Sequence, residues 1–414
     1  MGPKTRRGVG VKKRRGIFLI GLIVMLAYAA CGQAQGLDQL SYQDCGAFQY
    51  GLAQVMTEQN GERLYGLIDS EGNIKTPLDY LEINPMVNEF IRVLKKTPQG
   101  ERYGYLDITG AVAIDCTYEE AYDMMGGYAV VGNQVDGHMK YGLIDSRGNQ
   151  IIPPKYDDLG DYCDGLLRFG QLDDQGSIKY GYIDITDTVR IEAAYATATD
   201  FANERALVSG DEHGQTLQMI DTQGQTVMRD LPYADAATGV YDNFILVANY
   251  YEEEMNLGII DYSGHEIVPA IYSHLEFAGE GFVTANQLED GTISTLVFDF
   301  DGEERYFPGG YTHVGNYSEG MLLAFVGDEE SGEGVYSYLD SWGDLAVPGE
   351  FDWAQPFSDG LAVVGQCQAD GSYLYGYIDQ SGSLVIPYQY QQARPYAEGL
   401  MAVMENGTWR YISY

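Results

Sequence analysis

The chain has 414 residues, 45% of them apolar, and a formal net charge of −37 at pH 7. Such an acidic chain repels phosphate backbones and anionic membrane surfaces, so its composition argues against nucleic acid as a partner. The simplest interpretation of the acidity is that it keeps a large surface in solution.

The first thirty residues have the pattern of an export signal. Seven basic residues and no acidic residue occur in the first fifteen positions, and an apolar run of 14 residues from Ile17 to Ala30 follows. A bilayer span needs roughly 20 apolar residues. The pattern therefore favours a cleaved signal peptide in residues 1–30 over a permanent membrane anchor.

Two cleavage patterns overlap at the end of this run. Residues 27–29 have the small-x-small pattern of ordinary signal peptidase, and residues 29–32 resemble a bacterial lipobox in which Cys31 would be lipidated. We favour the second pattern, because a cysteine directly follows two small residues, although Tyr28 stands where a lipobox usually has leucine. The protein would then be exported and anchored to the cell membrane, with residues 31–42 as a short tether.

From residue 43 to the C-terminus, the sequence is a tandem array of about nine to ten repeats of about 39 residues. In each repeat an apolar run ends in an aspartate, and successive aspartates are 37 to 41 residues apart. The nine aspartates are Asp69, Asp107, Asp145, Asp184, Asp221, Asp261, Asp299, Asp340 and Asp379. At such a period one unit cannot bury its apolar face alone, and neighbouring units complete the core.

Three short strands are predicted in each repeat. In the last full copy they cover residues 360–364, 375–379 and 384–387 and are rich in aliphatic and aromatic side chains. The second and third strands are joined by Asp379-Gln380-Ser381-Gly382. Aspartate caps backbone amides and glycine tolerates positive φ, so this tetrapeptide predicts a tight turn. The fold is therefore expected to be all-β, with a hairpin and a structural turn aspartate in each repeat.

Two residues that recur in the repeats, the turn aspartate and the aromatic residue after it, have alternative interpretations. Each turn offers only one aspartate, whereas a calcium site needs six to eight oxygens, so no metal or other cofactor is expected. An aromatic residue follows each aspartate by about eleven positions. A row of aromatics could bind sugars, but such regular positions favour a core role between neighbouring units.

The pattern resembles that of the bacterial WG repeat family, also called KWG repeats, over about residues 46–414. The resemblance rests on a "GLA-V" run, an aromatic-Gly-x-Ile-Asp-x-x-Gly hairpin and a proline-containing tail that ends in the aromatic residue. The dipeptides in the place of Trp-Gly are Tyr65-Gly66, Tyr103-Gly104, Tyr141-Gly142, Tyr180-Gly181 and Tyr375-Gly376. Trp409 retains the tryptophan, whereas Gln218, Val297 and Ser337 replace the glycine in degenerate middle repeats.

Partial repeats at residues 48–53 and 407–412 are compatible with two architectures. In a propeller the first and last segments often share one blade, whereas a solenoid needs polar caps. Nine or more units exceed the usual four to eight blades. We therefore expect an open, superhelical array resembling a solenoid, with a large propeller or two smaller propellers as the alternative.

Sequence motifs for catalysis are absent: there is no HExxH, GxSxG, Walker P-loop or SxxK. The five histidines are scattered and are His138, His213, His265, His274 and His313. The cysteines after Cys31 form no CxxC pair and are Cys45, Cys116, Cys163 and Cys367. We expect isolated thiols, with one or two disulfides as the alternative in an oxidising compartment. No catalytic, cofactor-binding or metal-binding residue is assigned.

These observations predict a non-enzymatic, monomeric scaffold that binds a protein or glycan of the cell envelope and meets the membrane only through its N-terminal segment. The loops between the first two predicted strands vary most, and variable loops on a regular array often confer specificity. The main alternative is a carbohydrate-active or peptidase-like hydrolase with a site assembled from several repeats, using carboxylates such as Glu280, Glu319 and Glu398. A third alternative is an envelope spacer stabilised by calcium.

Overall fold

The computed structural model describes residues 37, 40–210, 217–241, 244–251, 254–279, 282–289, 292–299, 302, 304–305, 311–328 and 333–414. These residues form strands, turns and irregular segments and contain no helix. The signal segment 1–30 and Cys31 lie outside the described residues.

The strands form successive antiparallel sheets in chain order. The first sheet has seven strands: β1 (Asp44–Gln49), β2 (Leu52–Gln59), β3 (Glu62–Asp69), β4 (Ile74–Val87), β5 (Phe90–Thr97), β6 (Gly100–Asp107) and β7 (Val112–Tyr118). Because β4 pairs with both β3 and β5, it is the last strand of one unit and the first strand of the next.

Each of the following seven sheets has four strands and forms one unit. The third to fifth units are β8 (Glu120–Ala121), β9 (Tyr128–Val135), β10 (His138–Asp145) and β11 (Gln150–Tyr156); β12 (Asp158–Leu159), β13 (Leu166–Leu172), β14 (Ile178–Asp184) and β15 (Val189–Tyr195); and β16 (Thr197–Ala198), β17 (Arg205–Ser209), β18 (Leu217–Asp221) and β19 (Thr226–Leu231).

The sixth and seventh units are β20 (Asp235–Tyr241), β21 (Phe244–Tyr251), β22 (Glu254–Asp261) and β23 (Glu266–Tyr272); and β24 (His274–Gly279), β25 (Phe282–Glu289), β26 (Thr292–Asp299) and β27 (Glu304–Arg305). The eighth and ninth are β28 (His313–Ser318), β29 (Met321–Asp328), β30 (Glu333–Asp340) and β31 (Leu345–Phe351); and β32 (Trp353–Ala354), β33 (Leu361–Cys367), β34 (Tyr373–Asp379) and β35 (Leu384–Tyr390). The tenth unit is β36 (Gln392–Ala393), β37 (Leu400–Glu405) and β38 (Thr408–Ser413).

The core lies between neighbouring units. In β14 the three residues before the terminal aspartate are all buried, as they are in β10 and β34. Consecutive buried residues point to opposite faces of a strand, so both faces of these sheets are covered. One core cluster, for example, joins Ile152 and Tyr156 of the third unit to Leu159, Leu167 and Phe169 of the fourth.

The repeat aromatic lies at the passage from one unit to the next. Tyr156 ends β11, and a single residue separates it from β12. Tyr156, Tyr272 and Tyr390 are 8%, 4% and 3% exposed. The predicted packing of this aromatic between units is confirmed for these residues, because each belongs to a cluster shared with the following unit.

The tandem all-β array is confirmed, with one additional strand per unit. The three predicted strands are present, and most units also have a short first strand, such as the two-residue β8, directly after the preceding aromatic. The proline-containing strands β11 and β35 lie at the sheet edge, where a missing N–H costs no ladder hydrogen bond, whereas β4 contains Pro77 and Pro85 and pairs on both sides. Cys45, Cys116, Cys163 and Cys367 are free thiols.

The two ends of the array contact each other. Each unit contacts the next, and β37 of the tenth unit contacts β1 of the first. Leu40 forms an antiparallel bridge with Trp409, its N–H donating to the Trp409 carbonyl at 2.9 Å, and the Tyr411 N–H donates to the Leu37 carbonyl at 2.8 Å. The N-terminal segment thus adds a strand segment to the last unit, although residues 31–42 are predicted to be a tether.

Side chains complete this contact. Trp409 is fully buried and packs in one cluster with Leu40 and Phe48, and its indole N–H donates to the Gln43 carbonyl at 3.1 Å. Arg394 donates through Nη2 to Asp44 Oδ1 at 2.7 Å. The array is therefore closed rather than open at its ends, and this feature belongs to the large-propeller alternative.

Candidate binding cleft

The aspartates of the repeat lie at the turn between the third and fourth strands of their units. In the described residues, eight of the nine accept hydrogen bonds at Oδ1 from the backbone N–H groups two and four residues later. Asp107 accepts from the Thr109 N–H at 2.8 Å, the Ala111 N–H at 3.1 Å and the Thr109 hydroxyl at 2.6 Å. These carboxylates are engaged by their own turns.

The same hydrogen bonds favour the ionised carboxyl. At Asp107, the hydroxyl of Thr109 is the largest cause of a lowered pKa, and the backbone N–H groups of the turn add to it. At Asp184 the hydrogen bond from the Thr186 hydroxyl is likewise the largest cause, and the pKa of the carboxyl falls to about 2. A hydrogen bond to the charged form lowers the pKa of an acid.

Two carboxylates named for the hydrolase alternative bind backbone. Glu319 accepts from the Gly360 N–H at 3.1 and 3.0 Å, and Glu398 accepts from the Gly51 N–H at 2.9 Å. In both cases the glutamate and the glycine lie in the turns between the first and second strands of two adjacent units. Glu398 thereby connects the last unit to the first. Glu280 lies outside the described residues.

The structure brings two of the scattered histidines together. His274 Nε2 and His313 Nε2 lie 3.9 and 4.0 Å from Glu276 Oε2. Both histidines begin the first strand of their units, a correspondence that the sequence repeat could have revealed. Within the described ranges, no group of three histidine, cysteine or acidic side chains could hold a metal ion, and His213 lies outside those ranges.

A cleft of 460 Å³ lies between the second and third units, where β6 approaches the β7–β8 junction. Its lining residues are Leu94, Glu101, Tyr103, Glu119, Glu120, Ala121 and Tyr122. Leu94 and Ala121, which are 8% and 6% exposed, form an apolar floor. Tyr122 is 48% exposed. The cleft thus combines an apolar floor with carboxylates and aromatic walls, a combination suited to ligand binding.

Neighbouring polar groups hold two of these carboxylates in place. Glu119 accepts from Arg102 Nη2 at 3.2 Å, and Glu120 accepts from the Tyr141 hydroxyl at 2.5 Å. Burial, followed by the hydrogen bond to Glu120, raises the pKa of Tyr141. The ring of Tyr141 also lies 6.2 Å from that of Tyr122. Tyr141 therefore contacts both the Glu120 carboxylate and the Tyr122 ring.

Tyr122 departs from the repeat. The residue two positions after the start of the first strand is Tyr122 in the third unit, Gly160 in the fourth and Thr199 in the fifth. The same place holds Gln355 in the ninth unit and Arg394 in the tenth. Since no aromatic side chain occurs at these equivalent places, the fold does not require one there. Tyrosine is enriched among the residues that contribute most to binding at protein interfaces.

One of the predicted variable loops, residues 134–137 between the first two predicted strands of its repeat, lies beside a second opening. A cleft of 420 Å³ is lined by Gln99, Arg102, Cys116, Thr117, Glu119, Asn133 and Gln134. Gln134 belongs to the predicted variable loop 134–137, and Glu119 lines both clefts. Glu101, Glu120 and Tyr122 were not predicted from the sequence, although the difference between Tyr122 and the equivalent Gly160 and Thr199 is visible in it.

The comparison with protein families identifies the repeat. The model described as "WG containing repeat" matches residues 65–96, 103–133, 141–171, 180–209, 336–366 and 375–409. The chain belongs to the WG-repeat proteins. Each match begins in the third strand of one unit and reaches the second or third strand of the next, so the sequence repeat connects adjacent units. Residues 210–335, which include degenerate repeats, are not matched.

No curated protein matches the chain. Solved structures that match this chain include the tricorn protease (11% identity, TM-score 0.30, covering 88% of this chain), a Pyrococcus horikoshii acylaminoacyl peptidase (11%, 0.37, 71%) and a prolyl endopeptidase (11%, 0.39, 80%). The matched regions are 43%, 56% and 63% of those chains. Among the residues that the structure describes, we find no helix with the length and hydrophobicity of a membrane span.

Proposed function

We propose that this WG-repeat protein is a non-enzymatic scaffold of the bacterial cell envelope and that it binds a partner in the cleft between its second and third units. The exposed Tyr122 beside Glu101 and Glu120 is the observation that supports this proposal most strongly. The chain would be exported through residues 1–30 and held at the membrane by lipidated Cys31.

A positively charged segment of an envelope protein fits the cleft best. Glu101, Glu119 and Glu120 line the cleft, and the whole chain has a formal charge of −37. Such a field attracts cationic segments and accelerates their association. A glycan is the second candidate, because the exposed ring of Tyr122 offers an apolar face on which a sugar could stack.

A pull-down from envelope extract and a glycan array, both with the exported chain, would test this proposal. Tyr122→Thr introduces the residue that Thr199 provides in the fifth unit, so the fold should tolerate it. We expect this change to weaken binding about tenfold, as for loss of an aromatic contact at an interface. Tyr250→Thr is the matched control, since Tyr250 is 60% exposed and does not line the cleft.

The results separate the alternatives. Equal binding by the chain with and without Tyr122→Thr would place the partner elsewhere on the scaffold. Absence of any protein or glycan partner would contradict the scaffold proposal. Turnover of a peptide or glycoside by the purified chain would instead support the hydrolase alternative.

A further inference from the structure

A row of aspartates connects the third, fourth and fifth units. Asp123, Asp161 and Asp200 each lie three residues after the start of β8, β12 and β16. Two of these aspartates, Asp123 and Asp200, bind an arginine of the preceding unit. In each case the arginine is the third residue of that unit's second strand. Arg92 Nε lies 2.8 Å from Asp123 Oδ1, and Arg168 Nε lies 3.2 Å from Asp200 Oδ1.

Asp161 does not receive an arginine from the preceding unit. The corresponding residue of the third unit is Val130, which is 1% exposed. The Asp161 N–H donates to Asp200 Oδ2 at 3.3 Å. A Cβ on the preceding Gly160 would lie 1.8 Å from Asp200 Oδ1, so the Asp200 carboxylate packs against the backbone beside Asp161. The Asp200 carboxylate therefore lies directly beside the backbone of Asp161, and the third unit supplies no arginine to Asp161.

The other groups around Asp161 do not supply that cation. Burial is the largest cause that raises the pKa of Asp161, the charges of Asp200 and Asp123 raise it further, and Arg168 opposes them, leaving it at about 6. Arg168 already donates to Asp158 at 2.6 Å as well as to Asp200.

Two uncharged titratable groups also lie near Asp161. Tyr105 donates its hydroxyl to the Tyr122 carbonyl at 2.6 Å, and burial raises its pKa. The thiol of Cys163 has its pKa raised to about 11, chiefly by burial. Both groups are neutral near pH 6, so neither offsets the charge of Asp161.

We propose that Asp161 makes the junction between the third, fourth and fifth units responsive to pH. Ionised Asp161 repels Asp123 and Asp200 and weakens the junction, and its protonation strengthens the junction. An unfolded aspartate titrates near pH 3.9. The folded carboxyl binds its proton more tightly, so this stabilisation is complete below about pH 4 and is lost as the pH rises through about 6. The effect is independent of the proposed partner.

Thermal unfolding of Asp161→Asn and Asp123→Asn tests the proposal. At about pH 7.5, Asp161→Asn should raise the melting temperature by about 1–3 °C, because it removes a repelled charge at constant size. Asp123→Asn, the matched control, should lower the melting temperature because Arg92 loses its carboxylate. Near pH 4.5 the advantage of Asp161→Asn should disappear. A lower melting temperature of Asp161→Asn at pH 7.5, or an equal gain at both pH values, would overturn the proposal.

Hydrogen exchange of the unmodified chain provides a second measurement. After correction for the intrinsic pH dependence of exchange, residues 157–170 should be better protected at about pH 5 than at pH 7.5. The equivalent residues 352–365 of the ninth unit, which have Pro356 in the place of Asp161, should show no such gain. Equal behaviour of the two segments would contradict a specific role for Asp161.

Discussion

At the scale of single residues, aspartate recurs in the turns because a short carboxylate can accept from two backbone N–H groups at once. Asp145 accepts from Arg147 N–H at 2.9 Å and Asn149 N–H at 2.8 Å. The turn also needs a residue at positive φ three positions later, which is Gly148 here. Local hydrogen bonding of this kind competes well with extended structure and fixes where the chain reverses.

Removal of one turn carboxylate should be measurable at Asp107. Asp107→Ala loses the acceptor for the Thr109 and Ala111 amides, and we expect unfolding free energy to fall by about 1 kcal/mol, as for loss of a helix-capping side chain. Asp107→Asn keeps an oxygen in the same place and should cost less. Denaturant unfolding measures both changes, and equal stability of the alanine variant and the unmodified chain would contradict this role.

Acid should weaken these turns. Hydrogen bonds lower the pKa of Asp107, Asp145 and Asp379, and lower that of Asp184 to about 2. A carboxyl with a lowered pKa stabilises the fold above its unfolded pKa near 4 and loses that contribution as the pH falls through the folded value. Melting temperature should therefore decrease between about pH 4 and 2, with a smaller decrease in Asp184→Asn. A melting temperature that stays constant over this pH range would argue against a stabilising role of the turn carboxylates.

At the scale of strands, the repeat glycine is required by the approach of the fourth strand. At Gly181 the register between β14 and β15 shifts, and a Cβ would lie 2.5 Å from the Ile191 carbonyl oxygen and 2.7 Å from the Ala193 nitrogen. Both obstructing atoms belong to backbone and cannot rotate away. The recurrence of Tyr-Gly thus follows from crowding between two strands.

A glycine-to-alanine pair tests this explanation. Gly181→Ala should reduce unfolding free energy by roughly 2 kcal/mol or more, because overpacking forces the backbone to move. Gly210→Ala is the control, since no atom lies within 4 Å of a Cβ at that position. Thermal or denaturant unfolding compares the two. Similar stabilities would show that β15 can shift without cost.

Most of the strand pattern could be predicted from sequence, whereas the short first strands could not. Runs such as 375–379 contain enough apolar and β-branched residues to reveal a strand. In contrast, Glu120 and Ala121 form a two-residue strand that has no period. The cleft was also missed, because Glu101 and Tyr122 meet only after adjacent units pack together. The sequence gives the local pairing, and contacts between units decide the site.

At the scale of the whole array, the two ends meet through the same contact that joins neighbouring units. Tyr182 donates its hydroxyl to the Thr199 carbonyl at 2.8 Å, and Tyr377 donates to the Arg394 carbonyl at 2.7 Å. Tyr411 of the last unit donates to the Gly46 carbonyl of the first unit at 2.6 Å. Closure therefore covers the apolar faces that a linear array would leave exposed and would have to cap.

This closure was not predicted from the sequence. Partial repeats at both ends suit a closed array and a capped solenoid, and the count of nine or more units favoured the open array. The physical difference is whether Phe48 and Trp409 share one core, which depends on the accumulated rotation between units. The structure places both in the same buried cluster. A closed array also fixes the relative positions of its units, as a scaffold with a preformed cleft requires.

The most direct test of closure compares Tyr411→Phe with Tyr377→Phe by unfolding free energy. Each change removes one hydroxyl and leaves one carbonyl of the adjacent unit without that donor. In a closed array we expect both to reduce the unfolding free energy, each by about 1 kcal/mol. If Tyr377→Phe is destabilising and Tyr411→Phe has no effect, the first and last units are apart in solution and the closed array is wrong.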